Sequence, residues 1–225
     1  MAVSFKEEKF LWKQGYKLVA GLDEAGRGPL AGPVVAAAVI IRPGVKYRMG
    51  KINDSKKLSE KQREFFYEKL TSHSEIIWGV GIVSEKIIDK INILEATKLA
   101  MIKSLEEITS KIDGRQFLKN SVFLILDGNF TLNFKRSRFC ESFSEPKQKS
   151  IIGADGKVFS CAAAGIIAKV TRDRIMQEYH KKYPDYGFNR HKGYGTKLHL
   201  KQLEELGPSK IHRRSFYPMT DIAKN

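Results

Sequence analysis

Apolar positions along the chain follow two rhythms. Short apolar runs bounded by Gly, Pro or charged residues read as buried strands: KLVAGLD (17–23), PVVAAAVII (33–41), EIIWGVGIV (75–83) and SVFLILD (121–127). Elsewhere apolar residues recur at helical spacing. Ser59 with Gln62 three residues on forms a capping box, which predicts a helix running to about Leu70. Asn92 and Glu95 stand in a similar arrangement before the periodic stretch 92–108. After Asp127 come a loop and a long helix, roughly Ser160 to His180. A last helix, Thr196 to Leu206, is stopped by Gly207-Pro208.

Strands come first, then strands mixed with helices, then helices alone. That order predicts an α/β sheet domain with a helical C-terminal portion packed on it. No repeat, low-complexity segment or Pro/Gly/Ser-rich linker divides the chain. Residues 1–16 read as a short lead, 17–180 as the sheet domain and 181–225 as a basic helical region.

Composition narrows the class of partner. With 225 residues the chain can bury a core without staples. Its 40 Lys+Arg against 25 Asp+Glu, a formal net charge of +15, argue for a polyanionic partner, of which nucleic acid is the commonest. Cys140 and Cys161 occur without a CxxC or a His pair at metal spacing, which argues against a disulfide framework and a zinc site. The N-terminus, MAVSFKEEKFLWKQGY, lacks the apolar core of a signal peptide, and Val34 to Ile41 is too short to span a bilayer. A soluble monomer in a reducing compartment, most simply the cytoplasm, with no membrane partner, is the expectation.

The candidate chemistry lies at strand ends. Asp23-Glu24 closes one predicted strand and Asp127 another. Alone, each acid reads as a turn former or a helix cap. If the two strands are neighbours, three carboxylates converge. Like charges about 4 Å apart repel by roughly 4 kcal/mol at an effective dielectric near 20, so such a cluster must bind cations or take up protons. Oxygen-only ligands favour Mg²⁺ or Mn²⁺. A carboxylate-held metal pair beside a basic surface is suited to in-line hydrolysis of a phosphodiester.

Nucleotide-loop readings of GLDEAGRGPLAGP (21–33) fail. Arg27 and Gly28 stand where a P-loop needs Lys and Ser/Thr, and Asp23 and Glu24 would repel the phosphates. The looser dinucleotide pattern Gly26, Gly28, Ala31 must open a helix, whereas 33–41 reads as a strand.

DEAGRGPLAGPV, NDSKKLSEK, NILEAT, LDGN, AKVTRD, HKGYGT and LGPSKIHRRSF occur in this order, and together they resemble bacterial ribonuclease HII, the type 2 ribonuclease H. The match runs from about Lys17 to Phe216. The sister ribonuclease HIII carries an extra N-terminal domain and lacks the Gly-Arg-Gly motif, so the resemblance is to the HII branch. It implies a ribonuclease H-like mixed central sheet flanked by helices, with a catalytic domain at 17–180 and a metal-dependent acidic site. Carried over by motif, Asp23, Glu24 and Asp127 are metal ligands. The fourth carboxylate is either Asp155, in IIGADGKVF, or Asp173, in VTRDR; Asp155 is favoured, because Asp173 is flanked by Arg172 and Arg174 and can serve a structural ion pair or a cap. Gly153-Ala154 stands where the family has Lys-Gly, and Gly165 replaces a usual serine.

The resemblance also implies how a ribose is read. Gly26 and Gly28 let backbone groups press against a sugar, and backbone N–H and C=O groups can satisfy a 2′-OH as both donor and acceptor. Gly26-Arg27-Gly28 would read that hydroxyl, and Tyr194 would pack against the sugar on the other side of the scissile junction. Lys56 and Lys57 are candidate phosphate contacts. The stretch 181–214 holds nine Lys/Arg against three acids, interleaved with Tyr183, Tyr186, Phe188 and Tyr194, which suits a surface that grips a nucleic-acid backbone. The expected activity is a Mg²⁺- or Mn²⁺-dependent endonuclease acting on RNA/DNA hybrids and on single ribonucleotides in duplex DNA. It would cut 5′ of the ribonucleotide to leave 3′-OH and 5′-phosphate ends. The competing readings are a hybrid-binding protein with an inactive site and a ribonuclease H-like DNA nuclease.

Overall fold

The computed structural model describes residues 2–44, 52–111, 122–135 and 146–222, with the side chains of 221 and 222 left aside. Cys140 and Ser121 lie outside the described residues. Five strands form one mixed sheet: β1 (Leu18–Ala25), β2 (Val34–Ile41), β3 (Ile76–Val83), β4 (Val122–Asp127) and β5 (Lys147–Ile151), in the order β3-β2-β1-β4-β5. β2 pairs antiparallel with both β1 and β3, whereas β4 runs parallel to both β1 and β5. In the parallel register Leu22 lies opposite Leu126, which brings Asp23 and Asp127 level toward the C-terminal ends of the two neighbouring strands. The sequence left open whether these two strands are neighbours; they are.

Both faces of the sheet are covered, and β2 shows why it reads as apolar throughout. Val34, Ala36, Ala38 and Ile40 pack toward α3 (Glu85–Lys111), while Val35, Ala37, Val39 and Ile41 pack toward α4 (Phe159–Lys182) and α2 (Glu60–Thr71). A strand buried on both sides cannot alternate apolar with polar residues. The Ser59–Gln62 capping box is formed in full at the start of α2.

Several elements go beyond what the sequence pattern predicts. Glu85 to Ile91 is already helical, and Asn92 interrupts it with φ 67° before the helix resumes. Asn92 Oδ1 accepts from the Leu94 and Glu95 N–H groups, so it caps the second segment as expected. β5 lies where the sequence pattern predicts a loop. Its sequence, KQKSI, has little β propensity, and it lies at the sheet edge, where lysines discourage further pairing. The N-terminal lead contains α1 (Lys6–Lys13). Fully buried Glu8 on α1 accepts from Ser160 N–H (2.8 Å) and Ser160 Oγ (2.9 Å). Val158, the residue before α4, has no side chain able to cap it, so Glu8 does so from across the fold.

Beyond α4 come the short α5 (Phe188–His191), α6 (Lys197–Leu206) and α7 (Met219–Ile222). They close a separate apolar cluster in which Leu30 and Ala31 of the β1–β2 connection meet Met176, Phe188, Leu203 and Ile211. Thr196 caps α6 through the His199 N–H, and Gly207, at φ 67°, ends it. No helix among the described residues is long and apolar enough to cross a membrane.

Candidate active site

The acids arrive from three elements. Asp23 ends the inner part of β1, Asp127 ends β4, and Asp155 sits in a 3₁₀ turn (Ala154–Gly156) between β5 and α4. Each offers a carboxylate oxygen, and these oxygens lie within 4.8 Å of one another. Asp127 Oδ1 accepts the Ala154 N–H at 3.0 Å, which ties the 3₁₀ turn to the strand end. Glu24 lies beside them; Arg27 Nη1 reaches its Oε1 at 3.4 Å, and its Oε2 is buried without a hydrogen-bond partner.

Burial, reinforced by Glu24, Asp127 and Asp155, pushes Asp23 well above the usual carboxylate range. Glu24 is raised chiefly by burial, with Arg27 opposing. Asp155 is raised by burial and by Asp127, with Lys56 opposing through an Nζ–Oδ2 contact of 3.4 Å. A cluster that raises the pKa of Asp23, Glu24 and Asp155, contains only oxygen donors and leaves one buried oxygen unpaired fits a hard divalent cation.

Asp173 is not brought to this cluster. It is bound one helical turn back to Lys169 (Nζ–Oδ1 2.6 Å), while Arg174 pairs with Glu64 and Arg172 turns inward. Its ion-pair partner is thus neither flanking arginine.

The acids line a cavity of about 410 Å³ that also exposes Gly26, Arg27, Gly28, Lys56 and Tyr194. Gly26 has φ 98°, a conformation that favours glycine. Across the gap, a Cβ on Gly28 would stand 3.7 Å from Tyr194 Cε1, so the glycine turn and the tyrosine face each other closely. Lys57 does not line the cavity; its Nζ is 4.0 Å from Asp54.

Lys169, Ser55 and Gly128 are cavity residues that the sequence reading passed over. The signal available for Lys169 was its i,i+4 spacing to Asp173 on a helix. Gly165, one turn before Lys169, faces Asp23: a Cβ there would run into Asp23 Oδ2. The missing serine therefore leaves room for the carboxylate as it stands. Gly153 adopts φ 67°, and Lys157 Nζ lies 4.0 Å from where its Cβ would be, so a cation remains beside this position.

Behind Tyr194 lies a relay of buried histidines. The Ser209 N–H donates to His212 Nδ1 (2.9 Å), so the neutral ring carries its proton on Nε2. That proton donates to His199 Nε2 (3.0 Å), leaving His199 Nδ1–H to donate to the Tyr194 carbonyl (2.9 Å). Burial lowers both rings, His199 to about 4 and His212 to about 3. The basic stretch 181–214 is accordingly not one exposed surface. Arg213 is fully buried, and Tyr186 and Phe188 pack in the interior against these rings.

Comparison with known proteins follows the same lines. The Ribonuclease HII family profile matches residues 20–219. The chain is 48% identical to "Ribonuclease HII" of Chlamydia muridarum over 93% of its length and 86% of the relative's. It is 47% identical to that of Bacillus velezensis, covering 94% and 74%. The crystal structure of ribonuclease H2 from Pyrococcus horikoshii superposes with a TM-score of 0.68 at 29% identity, covering 92% of this chain and 97% of that one. Its fold is therefore ribonuclease H-like, as the mixed sheet and flanking helices indicate. The chain belongs to the ribonuclease HII family, and so to the hydrolases of the ribonuclease H type.

Proposed function

We propose that this protein is a metal-dependent endoribonuclease that cleaves RNA in RNA/DNA hybrids and single ribonucleotides in duplex DNA. It cuts 5′ of the ribonucleotide, leaving 3′-OH and 5′-phosphate ends. The observation that carries this reading is one cavity in which Asp23, Asp127 and Asp155 converge within 4.8 Å, walled by Gly26-Arg27-Gly28 on one side and Tyr194 on the other.

In this reading Asp23, Glu24, Asp127 and Asp155 hold Mg²⁺ or Mn²⁺, which when bound supplies a nucleophilic water and neutralises developing phosphate charge. The chain's own groups do the selecting. The Gly26–Gly28 backbone meets the 2′-OH, a group that DNA lacks. Tyr194 packs on the neighbouring sugar, where a second 2′-OH fits badly. Lys56 bridges the acidic cluster and the phosphate path, and Lys57, on the exposed surface beside it, meets the backbone farther out.

The test compares three duplexes with and without a chelator: all DNA, DNA with one ribonucleotide, and an RNA/DNA hybrid. Cleavage of the two ribose-containing duplexes, abolished by chelation, is the expected outcome. Equal cleavage of all-DNA duplex would make it a DNA nuclease, and binding without cleavage in Mg²⁺ or Mn²⁺ would make it a hybrid-binding protein.

A further inference from the structure

Arg172 and Arg213 are the largest side chains that the described fold buries completely. Among the described residues neither guanidinium is paired with a carboxylate; both give their donors to main-chain carbonyls. Arg213 donates Nε to Gly32 O (2.9 Å), Nη1 to Arg27 O (3.0 Å) and Nη2 to Gly26 O (2.6 Å). Arg172 donates Nε to Pro33 O (3.0 Å), Nη2 to Ala31 O (3.1 Å) and Nη1 to Lys192 O (3.0 Å).

Burying a cation without a counter-charge is unfavourable, and an apolar side chain of similar volume would fill the space more cheaply. The two forks supply something packing cannot. Five of the six carbonyls belong to the 26–33 segment and the sixth to the loop that carries Tyr194. The Arg172 guanidinium also lies 5.9 Å from the centre of the Tyr194 ring. Arg213 ties the glycine turn to Gly32, and Arg172 ties the adjoining Ala31 and Pro33 to the Tyr194 loop, so the two planes in series join the turn to the opposite wall of the cavity. The gap between them is narrow, since a Gly28 Cβ would already be in van der Waals contact with Tyr194.

We infer that Arg172 and Arg213 are positioning residues: they fix the separation between the Gly26–Gly28 turn and Tyr194, and through it the enzyme's preference among ribose-containing substrates. The inference rests on the ribose reading proposed above. A lysine keeps the charge but, as a point donor, cannot hold three carbonyls in one plane. Its substitution lets the two walls drift, and a misplacement near 1 Å costs up to about 100-fold in rate.

The test uses the full chain with Arg172→Lys and Arg213→Lys. kcat and KM are measured on a duplex with one ribonucleotide and on a hybrid with a continuous RNA strand. The readout is the ratio of the two kcat/KM values, in which the fraction of folded enzyme cancels. Both lysine variants are expected to change this ratio by about tenfold, through kcat on the single-ribonucleotide duplex with KM within roughly threefold. Ratios within about twofold of wild type overturn the inference. So does failure of both variants to fold, because a guanidinium the fold cannot lose is a structural group. Wild type assayed in addition on an all-DNA duplex tests the underlying reading separately: no preference for a single-ribonucleotide duplex over all DNA sinks that reading whatever the arginines do.

Discussion

The histidine relay behind Tyr194 should favour unfolding in mild acid, and replacing its two rings should remove that contribution. His212 and His199 are buried, and their folded pKa values fall from 6.5 to about 3 and about 4. A base with a depressed folded pKa binds more protons when unfolded, so its contribution is complete above pH 6.5 and is lost as pH falls toward the folded value. At pH 5 each ring favours unfolding by roughly 2 kcal/mol relative to pH 8. The two share one Nε2···Nε2 hydrogen bond, so their sum falls between about 2 and 4 kcal/mol. For a chain of this size that lowers Tm by roughly 10 °C. The acidic cluster works in the opposite sense: Asp23, Glu24 and Asp155 have raised pKa values, so their contribution is present at low pH and lost as pH rises. The histidine share is therefore read as a difference. The His199→Gln/His212→Gln double variant donates and accepts but takes up no proton. Differential scanning calorimetry from pH 8 to 5 should show the wild-type Tm falling relative to the variant's by roughly 10 °C. Parallel slopes would refute the reasoning.

Other consequences are independent of the relay. Mg²⁺ or Mn²⁺ should raise Tm, by more at pH 8 than at pH 5, because the raised carboxylates must lose protons to bind; a shift of equal size at both pH values contradicts the cluster's assignment. Gly28→Ala places a methyl in open contact distance of Tyr194 and should leave Tm nearly unchanged while slowing single-ribonucleotide cleavage at least about tenfold. Gly26→Ala drives a methyl into Arg172 and Pro33 O at φ 98° and should cost about 2 kcal/mol or more of stability. Reversal of that contrast in urea melts and turnover would show that the turn is misread. Glu8→Ala removes the acceptor of two buried Ser160 donors and should destabilise by about 1–3 kcal/mol; an unchanged urea midpoint would show that α1 does not anchor α4.

What the sequence disclosed depended on how much of the physics was local. β1, β2, β3 and β4 were legible because their runs are apolar and bounded, and the Ser59–Gln62 box because capping needs only four residues. β5 was not, because KQKSI has little β propensity and its lysines suit an edge strand, a place set only by pairing with β4. The acids were recognisable as strand ends, but the pairing of β1 with β4, which brings them together, is a long-range event. Arg213 counted as one more surface cation until folding buried it against three carbonyls. Glu8 looked like part of a polar lead, since its use as a cap depends on Ser160, 152 positions away.

The central claim is that clustered carboxylates hold the catalytic cation at the ribose-reading turn. Its most direct test is Asp127→Asn, assayed for cleavage and binding of a single-ribonucleotide duplex in Mg²⁺ and in Mn²⁺. The account predicts loss of cleavage with substrate affinity nearly intact. Turnover at the wild-type rate would contradict it.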